Sequence, residues 1–333
     1  MALTLQSMVQ IGWPVLKEAI KSKYVVALNK SNDYTLYERK KTAFYTHPQH
    51  RPGATFEQLC DIAKNLYENG NSAIFKLSRL NPDDMERIGD DVLNGRNVSG
   101  EELIAQFGLA GLQFGASMSD AQKQHWINRH FEALHDMSQL LDIPPKWIGL
   151  KQGSLAFCAR GRGGAGVAHY EQGYAVINIT CANGKGSFAH EWAHFFDHYL
   201  RRIFNVDTDT FASCVVRNID IKGYQDKYQP LRKAFIEFHK FVWLTNKSAV
   251  YLRSRKLGYY WFSELELFAR MFESFIEDEL SAKGLSSPWL VNSTRHTDHP
   301  NTNTAQFPYA IGKEREIING LIRKIFEAFS SLQ

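Results

Sequence analysis

The residues of this chain whose types and spacing could do chemistry are His190, Glu191 and His194, which form one copy of the pattern H-E-x-x-H. Positions i and i+4 of a helix lie on one face about one turn apart, so two imidazoles there can bind one zinc ion. The glutamate between them can take a proton from a zinc-activated water and pass it to a leaving amine. The spacing therefore predicts a zinc-dependent hydrolytic site with Glu191 as general base.

The sequence around this pattern predicts a strand, a loop and then the helix that carries the histidines. Residues 174–180 are rich in β-branched side chains, and residues 181–185 are polar and contain a glycine. Ser187 is a candidate N-cap, and the residues after it have the apolar surface of a buried helix. A strand beside the metal could hold an extended peptide. The alternative is a core helix whose histidines fall four apart by chance.

The other cysteine and histidine residues bear on the kind of metal site. A structural zinc site usually has four protein ligands, often cysteines, whereas a catalytic site has three and an open position. His198 lies eight residues after His190, about 12 Å along a helix, so it is too far away to share the ion. We expect it to support a ligand or to lie at the surface. The cysteines form no C-x-x-C pair: Cys60, Cys158, Cys181 and Cys214.

A third ligand is expected further along the chain. Residues 264–278 predict an amphipathic helix with apolar residues at helical spacing. Glu266 and Glu273 lie seven residues apart and therefore share a face close to the apolar stripe. An arbitrary glutamate is usually solvated, but a zinc site with two histidines needs one of these two carboxylates.

These residues resemble the family of the anthrax lethal factor catalytic domain. The resemblance lies in residues 190–199 (HEWAHFFDHY) followed by residues 266–272 (ELFARMF), with a longer gap between the two motifs than in that family. Its members are gluzincins, a group of zincin metallopeptidases in which a glutamate on a second helix completes the metal site. Two positions depart from the family pattern: Ala193 replaces a glycine-like residue, and Arg270 stands where an acid is found.

The resemblance implies a role for each matching residue. His190, His194 and Glu266 would bind Zn²⁺, and Glu191 would be the general base. The other two roles concern residues near the ligands. An aspartate on the metal-facing side of the first helix would orient a ligand, and a tyrosine seven residues before the third ligand would stabilise the oxyanion. These residues are Asp197 and Tyr259, with the adjacent Tyr260 as the alternative tyrosine.

A second resemblance covers more of the chain, from about residue 107 to residue 275. Residues 107–115, 155–161 and 169–171, followed by the H-E-W-x-H helix, resemble the large polyvalent protein-associated domains and the related CLCA_X family. Those families belong to phages, conjugative elements and bacteria. The resemblance therefore implies a phage or mobile-element setting and says nothing about the substrate.

Composition and charge limit the remaining possibilities. The chain has 333 residues, enough for two domains, and no apolar run reaches the ~18 residues that a membrane span needs. Residues 1–20 have no signal-peptide pattern and the cysteines show no pairing, so we expect a reducing cytoplasm and no membrane partner. The basic residues 39–41 lie among aromatics, which is a weak indication of nucleic-acid binding because the net charge is only +4.

The sequence as a whole predicts an α+β fold. A zincin-like metallopeptidase domain is expected at residues 99–333, after an N-terminal accessory α/β region at residues 1–98. The expected function is zinc-dependent hydrolysis of peptide bonds in a protein or peptide substrate, with no further cofactor. The alternative is a mobile-element accessory or counter-defence protein that binds nucleic acid or a host protein and holds zinc for structure.

Overall fold

The computed structural model describes residues 23–28, 34–40, 43–46, 56, 59–60, 63, 79–160, 168–206, 210–219, 226–245 and 247–332. The chain divides into two compact units. Residues 1–76 and 254–263 belong to the first, and residues 77–253 and 264–333 belong to the second. The predicted division into an accessory region and a metallopeptidase domain at residues 98/99 stays a prediction.

The described part of the first unit contains a three-stranded antiparallel sheet. Its strands are β1 (Tyr24–Leu28), β2 (Tyr34–Lys40) and β3 (Ala43–Thr46), in the order β1-β2-β3. Consecutive residues of β1 and of the first half of β2 are buried, and the Tyr34 ring lies 5.4 Å from the Phe56 ring between centroids. Arg39, in the predicted basic cluster, is exposed on β2. Nucleic-acid binding by that cluster stays a prediction.

Helices and one mixed sheet account for most of the second unit. The helices of the described ranges are, in chain order, α1 (Gly100–Phe107), α2 (Asp120–Leu140), α3 (Phe188–Ile203), α4 (Gln229–His239), α5 (Ala249–Leu257), α6 (Tyr259–Phe262), α7 (Glu264–Ala282) and α8 (Gly312–Ser330). Of these, α6 and residues 254–257 of α5 belong to the first unit. None of the helices in the described residues has both the length and the hydropathy of a membrane span.

The sheet of the second unit runs into the helix that carries the histidines. Its strands are β4 (Gly111–Phe114), β5 (Ser154–Phe157), β6 (Ala168–Glu171) and β7 (Val176–Ile179), in the order β4-β5-β7-β6. Three are parallel, whereas β6 pairs antiparallel with β7. The predicted strand at 174–180 is confirmed as β7. It is shorter than predicted because residues 172–175 form the hairpin turn.

The position of β7 changes one expectation about a substrate. Both edges of β7 are paired, one with β5 and the other with β6, so its backbone is not available to an extended peptide. The edge strands among the described residues are β4, which pairs with β5, and β6, which pairs with β7. The predicted α+β fold class is confirmed, because helices make up most of the described residues and occur with two small sheets, one antiparallel and one mixed.

The core between α3 and α7 is aromatic and holds the two helices together. Trp192 on α3 is fully buried, and its ring stacks 5.3 Å from that of Phe196 and lies 5.5 Å from that of Phe272 on α7. Its indole Nε1–H donates to the carbonyl oxygen of Ile148 at 2.8 Å. Aromatic burial of this kind fixes the separation and rotation of the two helices.

Trp192→Ala is expected to lower the free energy of unfolding by about 3–5 kcal/mol, because it leaves a large cavity between α3 and α7. Trp192→Phe keeps an aromatic ring there but leaves the Ile148 carbonyl without its donor, so we expect a loss of about 1–3 kcal/mol. Urea unfolding followed by far-UV circular dichroism would measure both changes. Equal stability of the Ala variant and the wild type would contradict this account of the core.

Candidate metal centre

The turn before α3 sets the position of the histidines. Gly186 has φ +77°, and a Cβ there would lie 2.1 Å from the Asn292 amide nitrogen, so only glycine fits. Ser187 stands at the predicted N-cap position, but its hydroxyl donates to the Gly184 carbonyl and does not cap the helix. The predicted helix is confirmed as α3. Ser187 stabilises the loop before the helix through its hydrogen bond to Gly184 and not through the predicted N-cap bond.

Three side chains on α3 and α7 converge on one point. The Nε2 atoms of His190 and His194 lie 3.2 Å apart. Glu266 on α7 reaches both rings, with Oε2 at 3.4 Å from His190 Nε2 and Oε1 at 3.6 Å from His194 Nε2. All three residues are buried, and within the described residues theirs is the group of potential metal ligands whose atoms lie within 4.8 Å of one another.

The spacing of these atoms fits a zinc ion. Tetrahedral zinc with bonds of about 2.0–2.2 Å holds neighbouring ligand atoms about 3.3–3.6 Å apart. The two Nε2 atoms lie 3.2 Å apart, and each lies 3.4 or 3.6 Å from a different oxygen of the Glu266 carboxylate, at or close to this range. Two imidazoles and one carboxylate are also the donors of gluzincin-type sites, and they leave a fourth position open. His190, His194 and Glu266 therefore fit the zinc ion that the sequence implies.

Glu273 lies behind His190 and does not join the three ligands. Its Oε1 accepts from His190 Nδ1 at 3.0 Å and from the Tyr309 hydroxyl at 2.6 Å. Its Oε2 accepts from Arg79 Nη2 at 2.5 Å. A carboxylate bonded to the far nitrogen of a metal-binding histidine fixes the tautomer and the orientation of the ring. Glu273 therefore holds the ring so that His190 Nε2 faces His194 and Glu266.

The carboxylates around His190 favour a positive charge on its side chain. Burial acts to lower the pKa of His190, but the carboxylates of Glu273 and Glu266 outweigh it and raise that pKa to about 10. Burial raises the pKa of Glu191 to about 7, and the same two carboxylates add to the rise. The two buried carboxylates on α7 therefore stabilise positive charge at His190, as a proton or as a metal ion.

The structure places the other predicted site residues differently. Asp197 is fully buried, and its carboxylate accepts from the backbone N–H of Ser213 at 2.8 Å and from the Ser213 hydroxyl at 2.5 Å. Asp197 thus anchors the 3₁₀ segment Ser213–Asn218, and its predicted role in orienting a ligand stays a prediction. His198 is buried, and its Nδ1 lies 2.7 Å from the Tyr170 hydroxyl on β6.

The tyrosines proposed to stabilise an oxyanion belong to the first unit. Tyr259 and Tyr260 both lie on α6, and Tyr260 is half exposed. The side chain of Tyr259 lies outside the described residues. The choice between these two residues, and their role, therefore stays a prediction.

Sequence reasoning missed two features near the histidines. Arg79 and Tyr309 contact Glu273 from positions far away in the chain, and no local pattern marks either of them. Cys158 and Cys181 form a disulfide with a Cα–Cα distance of 5.0 Å. They follow β5 and β7, which are neighbours in the sheet, so their proximity could have been found only from the strand order.

Comparison with known proteins gives one match. Residues 252–332 match the family model of large polyvalent protein-associated domain 1. This segment includes α7 and α8, and with them Glu266, Glu273 and Tyr309, whereas His190 and His194 lie outside it. The match supports the resemblance to the large polyvalent protein-associated domains, which the sequence predicts for residues 107–275 and which overlaps the matched segment at residues 252–275. No curated protein and no solved structure matches the chain.

Proposed function

We propose that this protein is a zinc-dependent metallopeptidase of the gluzincin type, with a zincin-like arrangement of α3 and α7. The observation that carries the proposal is the convergence of His190, His194 and Glu266, whose ligand atoms lie within 4.8 Å of one another. The H-E-x-x-H sequence supplies Glu191 beside this cluster. A chance pair of histidines on a core helix would have no reason to meet a third donor at zinc-like spacing.

In this proposal Glu191 moves the proton. A bound zinc ion would polarise the scissile carbonyl and lower the pKa of a water molecule at the site. The Glu191 carboxylate would take the proton from that water and return it to the leaving nitrogen. Burial raises the pKa of Glu191 from the usual range of a carboxylate to about 7, which suits a group that must both accept and release a proton near neutral pH.

The substrate we propose is an extended peptide that pairs with β6. Many proteins bind an extended peptide by adding it as a strand at the edge of a sheet. β6 is an end strand of the four-stranded sheet among the described residues, and the bond between Tyr170 on β6 and His198 on α3 ties it to the helix that carries the histidines. A peptide on this edge would lie along the helix that carries His190 and His194.

The match to large polyvalent protein-associated domain 1 favours a phage or mobile-element setting. The cytoplasm stays the proposed location, but the Cys158–Cys181 disulfide removes the argument for it from unpaired cysteines. The same match is compatible with a second function. In this alternative the protein is an accessory or counter-defence protein that binds nucleic acid or a host protein, and its zinc is only structural. The two differ in their use of Glu191, because a structural site needs no general base. Salt-dependent DNA binding beside cleavage of a peptide library would separate them.

The purified protein is expected to contain about one zinc per chain, because three protein ligands and one open position are the usual composition of a catalytic zinc site. His190→Ala and His194→Ala should each lose the metal, because two ligands do not hold zinc against a chelator. Inductively coupled plasma mass spectrometry after dialysis would give the content. His135→Ala, on α2, is the matched control and should keep its zinc. Full zinc in both ligand variants would exclude this site.

A further inference from the structure

Arg79 makes a set of contacts that neither the H-E-x-x-H pattern nor the family match explains. Its Nη1 donates to the carbonyl oxygens of Asn292 at 2.8 Å and Gly186 at 3.2 Å. Its Nη2 donates to Glu273 Oε2 at 2.5 Å. The side chain is 16% exposed, so most of the guanidinium group is removed from water. Arg79 lies in the segment that precedes α1, outside the predicted catalytic domain.

These contacts lead to the metal-facing side of His190 in two steps. Arg79 holds one oxygen of Glu273, and the other oxygen accepts from both Tyr309 and His190 Nδ1. A buried carboxylate held from both ends cannot rotate, so the direction of the bond to His190 is set. With the proton on Nδ1, the lone pair of His190 is on Nε2, which faces His194 and Glu266.

The two carbonyl contacts add a second constraint. Gly186 lies in the turn directly before α3, and Asn292 lies in the segment after α7. One guanidinium group therefore ties together the turn before the helix with the two histidines and the segment after the helix with Glu266. The planar fork of arginine suits this arrangement, because its donors point in fixed directions toward three acceptors.

We propose that Arg79 is a positioning residue of the metal centre, which acts through Glu273 to hold His190 in the orientation that binds zinc. This inference rests on the proposed function. Arg79 touches neither the ligand atoms nor a substrate in this proposal, and its effect reaches the metal only through the Glu273–His190 hydrogen bond. The metal affinity of the protein should therefore depend on a residue far from the H-E-x-x-H motif in sequence.

The test compares Arg79→Met, Arg79→Lys and Arg87→Met in the full-length chain. Arg87 is a matched control, because it is similarly buried in the same segment and donates to Asp136 at 2.6 and 2.9 Å. Competition with a chromogenic chelator should show zinc affinity about 10–100-fold weaker in Arg79→Met, the range for outer-shell partners. Arg79→Lys should recover part of this loss, because it restores a cation beside Glu273. Arg87→Met should bind zinc like the wild type.

A second measurement does not need the metal. In protein labelled with ¹⁵N-histidine and stripped of metal, the Nδ1–H of His190 should give a downfield proton signal, because it is bonded to Glu273. The signal is identified by its loss in His190→Ala, and it should be lost or exchange rapidly in Arg79→Met but persist in Arg87→Met. If the wild type bound no zinc, the proposed function would fail, yet this signal would still report whether Arg79 holds His190.

Two outcomes would overturn the inference. One is a persistent His190 signal in Arg79→Met together with wild-type zinc affinity. The other is an equal loss of affinity in Arg79→Met and Arg87→Met, which would reduce Arg79 to a general contribution to stability. Thermal unfolding of each variant accompanies both measurements, and Arg79→Lys keeps the inference testable if the methionine variant does not fold.

Discussion

Glu191→Gln is expected to lower peptide hydrolysis at least ~100-fold while zinc remains bound, because the amide keeps the size of the side chain but cannot accept a proton. The effect should be in kcat, since the lost group acts on the reacting water and not on the binding of the substrate. A peptide library resolved by mass spectrometry, with wild type and variant at equal zinc content, would measure it. Cleavage sites present only with the wild type would also identify the substrate class.

The control for this prediction lies on the same helix. Arg202→Gln alters an exposed side chain in the last turn of α3, twelve residues after His190 and about 18 Å further along the helix. It should retain zinc and most of the turnover, so a loss in Glu191→Gln alone would identify the general base. Unchanged cleavage by Glu191→Gln would remove this residue from the reaction. The structural-zinc alternative would then be favoured.

The sequence predicts the parts of the site that depend on local geometry. His190 and His194 face one another because positions four apart in a helix do so wherever that helix lies. Glu266 required one more step, since it lies on a different helix. The resemblance to gluzincins selected it over Glu273, and the structure brings it to 3.4 and 3.6 Å from the two rings. The α+β class followed in the same way from strand and helix patterns.

The residues that support the site could not be predicted, because they meet only through tertiary packing. Arg79 and Glu273 are 194 positions apart in the sequence. The sequence around each of them has no pattern that distinguishes it from that around an ordinary surface arginine or helical glutamate. The same holds for the Cys158–Cys181 disulfide, whose members are brought together by the parallel pairing of β5 with β7. Counting cysteines by spacing detects C-x-x-C pairs but not cysteines at the ends of adjacent parallel strands.

Glu266→Ala is expected to weaken zinc binding by more than about 100-fold, beyond the 10–100-fold range of residues that only support a ligand. Glu273→Gln should fall within that range, because it perturbs His190 without removing a donor. Glu277→Ala is the control on the same helix. It lies eleven residues after Glu266, about 16 Å along α7, and it bonds to the backbone N–H of Thr294.

Chelator competition on the three variants should therefore give the order Glu266, Glu273, Glu277 from the largest loss to the smallest. This order distinguishes a ligand from its supporting residue without any assumption about the substrate. A larger loss in Glu273→Gln than in Glu266→Ala would mean that the carboxylate at position 273 binds the metal. The ion would then lie on the Nδ1 side of His190. The cluster formed by the Nε2 atoms of His190 and His194 and the Glu266 carboxylate would have no role in holding it.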